Sequence, residues 1–225
     1  MLIFTFDFEA LYDSITPKLV EEAICQAMKD HRDEWGPDFR DWLIDLVKLS
    51  MQSAVGVYQN TWFKPKNGIP TGGSLRVQMA DIAVYYALSR SLYKLNDALM
   101  KNIEDIKRFI DDGTGMFNGS DKEFDKWKKA VTENLAAFGL KIKPTDWNVA
   151  KSGETVNFLD IRFGVNEESG EFITDLFRKE TDSRAYLNFG SCHPNHVFSG
   201  IIYSQALRLR RIINTEEKLI HHLGN

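Results

Sequence analysis

Asp111 and Asp112 stand side by side in the stretch Arg108-Phe109-Ile110-Asp111-Asp112-Gly113-Thr114-Gly115-Met116-Phe117. Apolar residues on each side read as two strands, and the Asp-Asp-Gly between them reads as the tight turn of a hairpin. Two like charges in a turn repel each other and add nothing to a core. They make chemical sense where a divalent cation binds, because hard cations take carboxylate oxygens. Alone, such a pair is also an ordinary solvated turn. A third acid, Asp7, ends the apolar run Leu2-Ile3-Phe4-Thr5-Phe6. In a βαββ core the end of the first strand lies beside the turn of the central hairpin. Asp7 and Asp111 would then face each other across neighbouring strands, although 104 residues separate them. Two cations about 4 Å apart on such acids are the layout for phosphoryl or nucleotidyl transfer.

The elements that must position these acids follow from apolar runs and breakers. Leu2 to Phe6 reads as a buried strand. Thr16 and Pro17 are a helix start, N-cap and first helical position, for a helix to about Lys29. A second helix starts near Pro37-Asp38 and carries Phe39, Trp42, Leu43, Leu46, Val47 and Ser50 at helical spacing. Val55 to Phe63 reads as a strand or hairpin, and residues 65–73 as a breaker-rich loop. A long amphipathic helix is expected from Ser74 to about Leu99, and another from Ser120-Asp121 to about Phe138. Leu140 to Lys143, Thr155 to Phe163 and Phe172 to Phe177 read as strands. A helix from about Pro194 to Ile213 and a short one near Glu216 close the chain.

With 225 residues, 43% of them hydrophobic, the chain can bury a sizeable core. No apolar run is long enough to span a bilayer, and Met1 to Phe6 lacks the basic flank of a signal peptide. A membrane partner and secretion are therefore not expected, and the setting is intracellular, nuclear or cytoplasmic. Cys25 and Cys192 are too far apart to suggest a disulfide framework. Cys192-His193-Pro194-Asn195-His196 offers three possible ligands, but Pro194 and the missing fourth argue against zinc. The net charge is -4, unevenly spread: Leu176 to Ile213 holds six basic residues against two acids, +4, which leaves -8 elsewhere. An acidic body with a basic C-terminal segment fits a metal-dependent enzyme whose tail grips an anionic polymer.

Several short motifs, in order, resemble the palm of reverse transcriptases. They are Asp7-Phe8-Glu9-Ala10-Leu11-Tyr12, then Gly68-Ile69-Pro70-Thr71-Gly72-Gly73-Ser74 with Gln78, then Phe109-Ile110-Asp111-Asp112. Gly139-Leu140-Lys141-Ile142-Lys143 and Val156-Asn157-Phe158-Leu159-Asp160 resemble the next two. The run Arg178 to Leu187, then Ser191 to His196, then Tyr203 to Ile212, is similar to the thumb of Penelope-like retroelement polymerases. The resemblance implies an α+β fold: a polymerase palm (βαββ, a ferredoxin-like antiparallel sheet with packed helices) over 1–175, and a small basic helical thumb over 176–225. It implies an RNA-directed DNA polymerase that takes an RNA template, a DNA primer and deoxynucleoside triphosphates.

The same resemblance gives each residue a role. Asp7 and Asp111 would hold two Mg²⁺ ions (or Mn²⁺), with the Phe8 carbonyl completing one coordination sphere and Asp112 less directly bound. Tyr12 would be a steric gate against a ribose 2′-OH. Gly72 and Gly73 would let backbone approach template and nucleotide, since no Cβ intrudes. Gln78 would face the nascent pair. Lys141 or Lys143 would donate a proton to pyrophosphate; Lys143 is carried forward. Phe158, Leu159 and Asp160 would grip the primer, and Arg208, Arg210 and Arg211 would contact phosphates. The chain starts at the strand of the first acid, so the fingers are expected in the same parent chain. The alternative expectation is a non-catalytic nucleic-acid-binding remnant. The Gly-Gly-Ser after Pro70-Thr71 departs from the polar residue that many relatives place before their glycine.

Overall fold

Leu2–Asp7 (β1) is a central strand, buried on both faces except at Asp7, which is why its sequence is a continuous apolar run. The computed structural model describes residues 1–31, 36–53, 55–64, 68–69, 75–183 and 185–224. After β1 come helices α1 (Leu11–Ser14), α2 (Pro17–Asp30) and α3 (Pro37–Gln52), and a hairpin of β2 (Gly56–Tyr58) and β3 (Thr61–Phe63). Helices α4 (Arg76–Tyr93) and α5 (Asp97–Met100) lead to β4 (Ile103–Phe109) and β5 (Asp112–Phe117), and α6 (Asp121–Ala136) to β6 (Trp147–Ala150). Strands β7 (Thr155–Phe158), β8 (Ile161–Val165) and β9 (Phe172–Leu176) precede α7 (Asn195–Ile212) and α8 (Glu216–Leu223).

The main sheet is antiparallel, in the order β4-β5-β1-β6. Leu2, Phe4 and Phe6 point to one face and pack under α2, α4 and α6. Phe4 is fully buried, with Phe124 and Trp127 rings each 5.2 Å away. On the other face Ile3 packs with Ala150 and Val156, which brings in the second sheet, β7-β8-β9. The caps act as expected: Thr16 Oγ1 accepts from Leu19 N–H, and Ser120 forms a capping box with Glu123. The α+β architecture is that expected, and β1 ends beside the central hairpin.

Four local expectations are corrected. Asp-Asp-Gly is not the hairpin turn: Phe109 already pairs with Asp112, so Ile110-Asp111 is the two-residue tip. Leu140 to Lys143 is not a strand. Leu140 N–H closes the end of α6 on Leu135 O, a 3₁₀ turn spans Pro144–Asp146, and β6 takes the sheet position instead. Thr155 to Phe163 is two strands, because Leu159-Asp160 makes a second tight tip between Phe158 and Ile161. The long helix stops at Tyr93, where Asn96 caps the separate α5.

The last two helices dock on the second sheet through Leu176, Leu209, Ile212 and Ile213. Asn214 stitches the turn between them to β9: its Oδ1 accepts from Thr174 N–H at 3.0 Å and its Nδ2 donates to Phe172 O at 2.6 Å. This protects an edge strand. Asp175 adds an ionic latch, with His222 Nε2 at 3.0 Å and Lys218 Nζ at 3.3 Å. Burial would raise its carboxyl pKa, but the His222 hydrogen bond, the Lys218 charge and the Leu176 amide outweigh it and hold it below the usual value. The latch is therefore present above the ordinary carboxylate pKa and is lost as pH falls through the lower folded value. Hydrogen exchange should show α8 losing protection below about pH 4, with Asp175→Asn already losing about 1–3 kcal/mol of it at neutral pH. Equal protection of α8 in the two proteins at neutral pH would contradict the latch.

Candidate active site

Asp7 and Asp112 are direct partners across β1 and β5. Opposed residues of an antiparallel pair share a face, and strand alternation puts Asp7 on the side of Thr5, away from the aromatic core. Both line a groove of about 290 Å³ together with Thr5, Asp146, Asn148 and Phe158. Burial is the first cause that raises the Asp7 pKa, followed by the charges of Asp112, Asp111 and Asp146. Asp112 is raised in the same way, by burial and then Asp111. Lys179 partly offsets both.

Asp111 sits at the hairpin tip, half-buried, and its carbonyl accepts from Phe8 N–H at 3.2 Å. Ile110 takes φ 53°, a left-handed conformation that a β-branched residue adopts only under constraint. The constraint is Arg108. Its Nη1 donates to Ile110 O at 2.6 Å and to Asp81 Oδ1 of α4 at 2.9 Å. A half-buried arginine thus holds the tip that carries Asp111. Phe8 follows Asp7 with its ring in the core, beside Phe6.

Tyr12 lies in α1, partly buried against the core. Its carbonyl accepts from Ile69 N–H at 2.7 Å. Gly68 has φ 83°, and a Cβ there would lie 2.8 Å from both Asp13 Cα and Tyr12 O, so only glycine seats the loop on α1. Gly72 and Gly73 lie outside the described residues. Gln78 is exposed in the first turn of α4. Lys143 pairs with Glu9 at 3.0 Å, and that hydrogen bond, then the Glu9 charge, raises its pKa. Lys141 is exposed, and its carbonyl accepts from Glu9 N–H at 2.9 Å.

Phe158 borders the groove, and Leu159 and Asp160 form the second tip, with Leu159 at φ 55°. Asp160 Oδ2 accepts from Arg208 Nε at 2.9 Å and Nη2 at 2.7 Å, which ties the tip to α7. Arg210 and Arg211 are exposed in the last turn of α7. Arg108, Asp146 and Lys179 enter the site without a signal in the sequence reading, because nothing local to them marks the contact. Among the described residues no three His, Cys, Asp or Glu side chains form a ready-made metal cluster.

Telomerases are among the solved structures with the same fold. The apo enzyme from Candida tropicalis, truncated from its C-terminal domain, matches with TM-score 0.60 and 18% identity over 77% of this chain and 35% of that one. Telomerase from Candida albicans, with a TWJ fragment of telomeric RNA, matches with TM-score 0.62 and 12% identity over 91% of this chain and 34% of that one. The fold is a reverse-transcriptase-type palm with a helical thumb. The Candida tropicalis enzyme with the TWJ fragment gives TM-score 0.59 and 14% identity, over 92% of this chain and 33% of that one. The chain thus spans about a third of the telomerase chains it matches. The main sheet is β4-β5-β1-β6, and the chain ends in helices α7 and α8. Residues 185–223, which hold both helices, match the animal helix-turn-helix domain. No curated protein matches the chain significantly in sequence. No helix among the described residues is long and apolar enough to cross a membrane.

Proposed function

We propose that this chain is the palm and thumb of an RNA-directed DNA polymerase that extends a primer 3′-OH, of Penelope-like retroelement type by its thumb motifs. The observation that carries the proposal is the opposition of Asp7 and Asp112 across β1 and β5, with Asp111 beside them, in a palm fold. The donor set fits Mg²⁺. This ion keeps several waters and binds one or two carboxylates plus substrate phosphates, so it does not require a closed protein cage. Carboxyls crowded enough to raise one another's pKa are ones that a divalent charge relieves. Asp7, Asp111 and Asp112, with the Phe8 carbonyl, would hold two Mg²⁺ or Mn²⁺ ions. Ions bound there supply charge for the attacking and leaving oxygens.

The chain's own residues do the rest. Tyr12 excludes the 2′-OH. Gly72, Gly73 and Gln78 border the templated pair. The polar groove takes the primer end against Phe158, Leu159 and Asp160. Arg208 positions that tip through Asp160, while Arg210 and Arg211 reach phosphates. Lys143 is the proton donor toward pyrophosphate, released from Glu9 when the substrate charge arrives. An RNA template, a DNA primer and deoxynucleoside triphosphates are the partners of this reading. The RNA-bound telomerase neighbours support a nucleic-acid partner.

The test is primer extension on an RNA template, with deoxynucleotides and Mg²⁺, by a protein that carries this chain together with fingers. Extension is expected with wild type, and Tyr12→Ala should accept ribonucleotides about tenfold or more better relative to deoxynucleotides. Unaltered discrimination removes the gate assignment, and no extension removes the polymerase reading. The second reading, nucleic-acid binding without catalysis, is favoured by the helix-turn-helix match. It predicts RNA–DNA duplex binding with no heat of Mg²⁺ or Mn²⁺ binding in calorimetry.

A further inference from the structure

We propose that the β2–β3 hairpin is a twofold interface between two copies of this chain, a surface independent of the polymerase reading. Both edges of this two-stranded sheet are unpaired among the described residues. A lone hairpin of two strands is marginal in water unless another layer covers it. Its internal geometry is sound. Gln59 and Asn60 take φ 46° and 62°, the tight turn that matches strand twist, and the Phe63 ring lies across Gly56. What the hairpin lacks is an apolar layer against it. Residues 55–63 join none of the hydrophobic clusters among the described residues. Val57, Tyr58, Trp62 and Phe63 are 52% to 74% exposed, and apolar side chains left open together mark a surface that meets a partner.

Charge, edge geometry and area select a second copy as the partner. Residues 55–63 carry no charge, so they offer nothing to a phosphate backbone or a lipid headgroup. The chain as a whole has net charge -4, and an uncharged strip lets two copies meet without like-charge repulsion at the contact. Natural edge strands are blunted by lysine, proline or a bulge, and the β2–β3 pairing contains none of these. Tyr58 and Thr61 flank the two-residue turn as its hydrogen-bonded pair. The next pair, Val57 and Trp62, therefore turns its N–H and C=O outward. An antiparallel twofold axis at Trp62 lets each copy's Trp62 N–H donate to the other's Trp62 C=O, the self-complementary match of an isologous interface. Trp62 is the most exposed of the hairpin's large side chains, at 74%, which favours the β3 edge over β2. Trp42 and Leu49 add exposed apolar surface two turns apart on one face of α3. With the apolar residues of Val55 to Phe63 they offer roughly 800 Å² per copy, what each partner gives to a stable interface of standard size.

Sedimentation velocity on the full chain, from about 1 to 100 µM, reads the association. A monomer–dimer equilibrium is expected. Trp62→Lys sets two cations about 5.5 Å apart at the axis and should weaken the dimer about a hundredfold or more. Trp62→Phe keeps an aromatic ring there and should stay within about tenfold of wild type. Ile202→Lys, at an 80% exposed position of α7, should leave the dimer unchanged and controls for general stickiness. All three changes fall on exposed side chains, and circular dichroism checks that each variant is folded. A monomer throughout the range overturns the interface. So does a dimer that survives Trp62→Lys, or assembly that runs past the dimer, which would be open-ended edge pairing. A monomer whose RNA–DNA duplex binding falls with Trp62→Lys would give this face to nucleic acid and overturn it too. So would a dimer of this chain that disappears in a protein carrying fingers, since that segment would then be the cover.

Discussion

Asp7→Asn is expected to abolish nucleotide incorporation and to raise the melting temperature in the same protein. The loss follows from the position of Asp7, at the end of β1 and directly opposite Asp112. A ligand lost from a site that stabilises charge on both reacting oxygens costs several kcal/mol, on the order of 10³-fold in rate. The gain follows from electrostatics. Burial and then the neighbouring acids hold the Asp7 carboxyl above its usual pKa, and Asp112 is held up by burial and Asp111. The folded state thus binds protons more tightly than the unfolded chain. Stability drawn from these groups is full at low pH and lost as pH rises through the carboxylate range. At neutral pH all the charges are present and the repulsion is greatest. The neutral amide keeps the shape of Asp7 and removes one of the charges. Without metal, the stability advantage of Asp7→Asn over wild type should therefore shrink as pH is lowered from neutral into the carboxylate range. Added Mg²⁺ should stabilise wild type more than the variant. Extension within about tenfold of wild type would remove Asp7 from catalysis, and a lowered melting temperature would mean that its role is structural instead.

The parts of this site that were legible in the sequence are those written in local chemistry. The apolar run of β1, the Thr16 and Ser120 caps and the two acids at the hairpin each carry a signal within a few residues. The hidden parts depend on what arrives from elsewhere. Asp-Asp-Gly has the composition of a turn, yet the left-handed tip falls on Ile110 because Arg108 and Asp81 hold it there from α4. Leu140-Lys141-Ile142-Lys143 alternates like a strand, but Leu140 is consumed in closing α6 and Trp147–Ala150 takes the pairing with β1. Arg208 reads as a free phosphate contact, whereas Asp160, 48 residues away, occupies it. Lys179 sits in a plain basic run, and only the fold brings its charge within reach of Asp7 and Asp112.

Gly113→Ala carries the second large effect, and it tests the reason for that glycine. Gly113 lies inside β5, opposite Phe6, and not in the turn. A Cβ at this position would run into the end of the Phe6 ring. A flexible side chain would swing away, but Phe6 is 3% exposed and wedged between Trp147, 5.0 Å away, and Phe8, 5.7 Å away. The added methyl must therefore part β1 from β5 or push the aromatic layer. Overpacking of this kind costs about 1–3 kcal/mol. Both strands carry acids of the proposed site: Asp7 is the residue after Phe6, and Asp112 precedes Gly113. A strand displacement of about 1 Å costs about 10²-fold in rate when reacting groups depend on it. Extension should fall about a hundredfold at a temperature where Gly113→Ala remains folded by circular dichroism. The partner change Phe6→Leu should recover a large part of both losses in the double variant, because a shorter side chain clears the added Cβ. Full activity in Gly113→Ala, or a double variant worse than the sum of the two single changes, would show that the Phe6 ring is not the reason for the glycine.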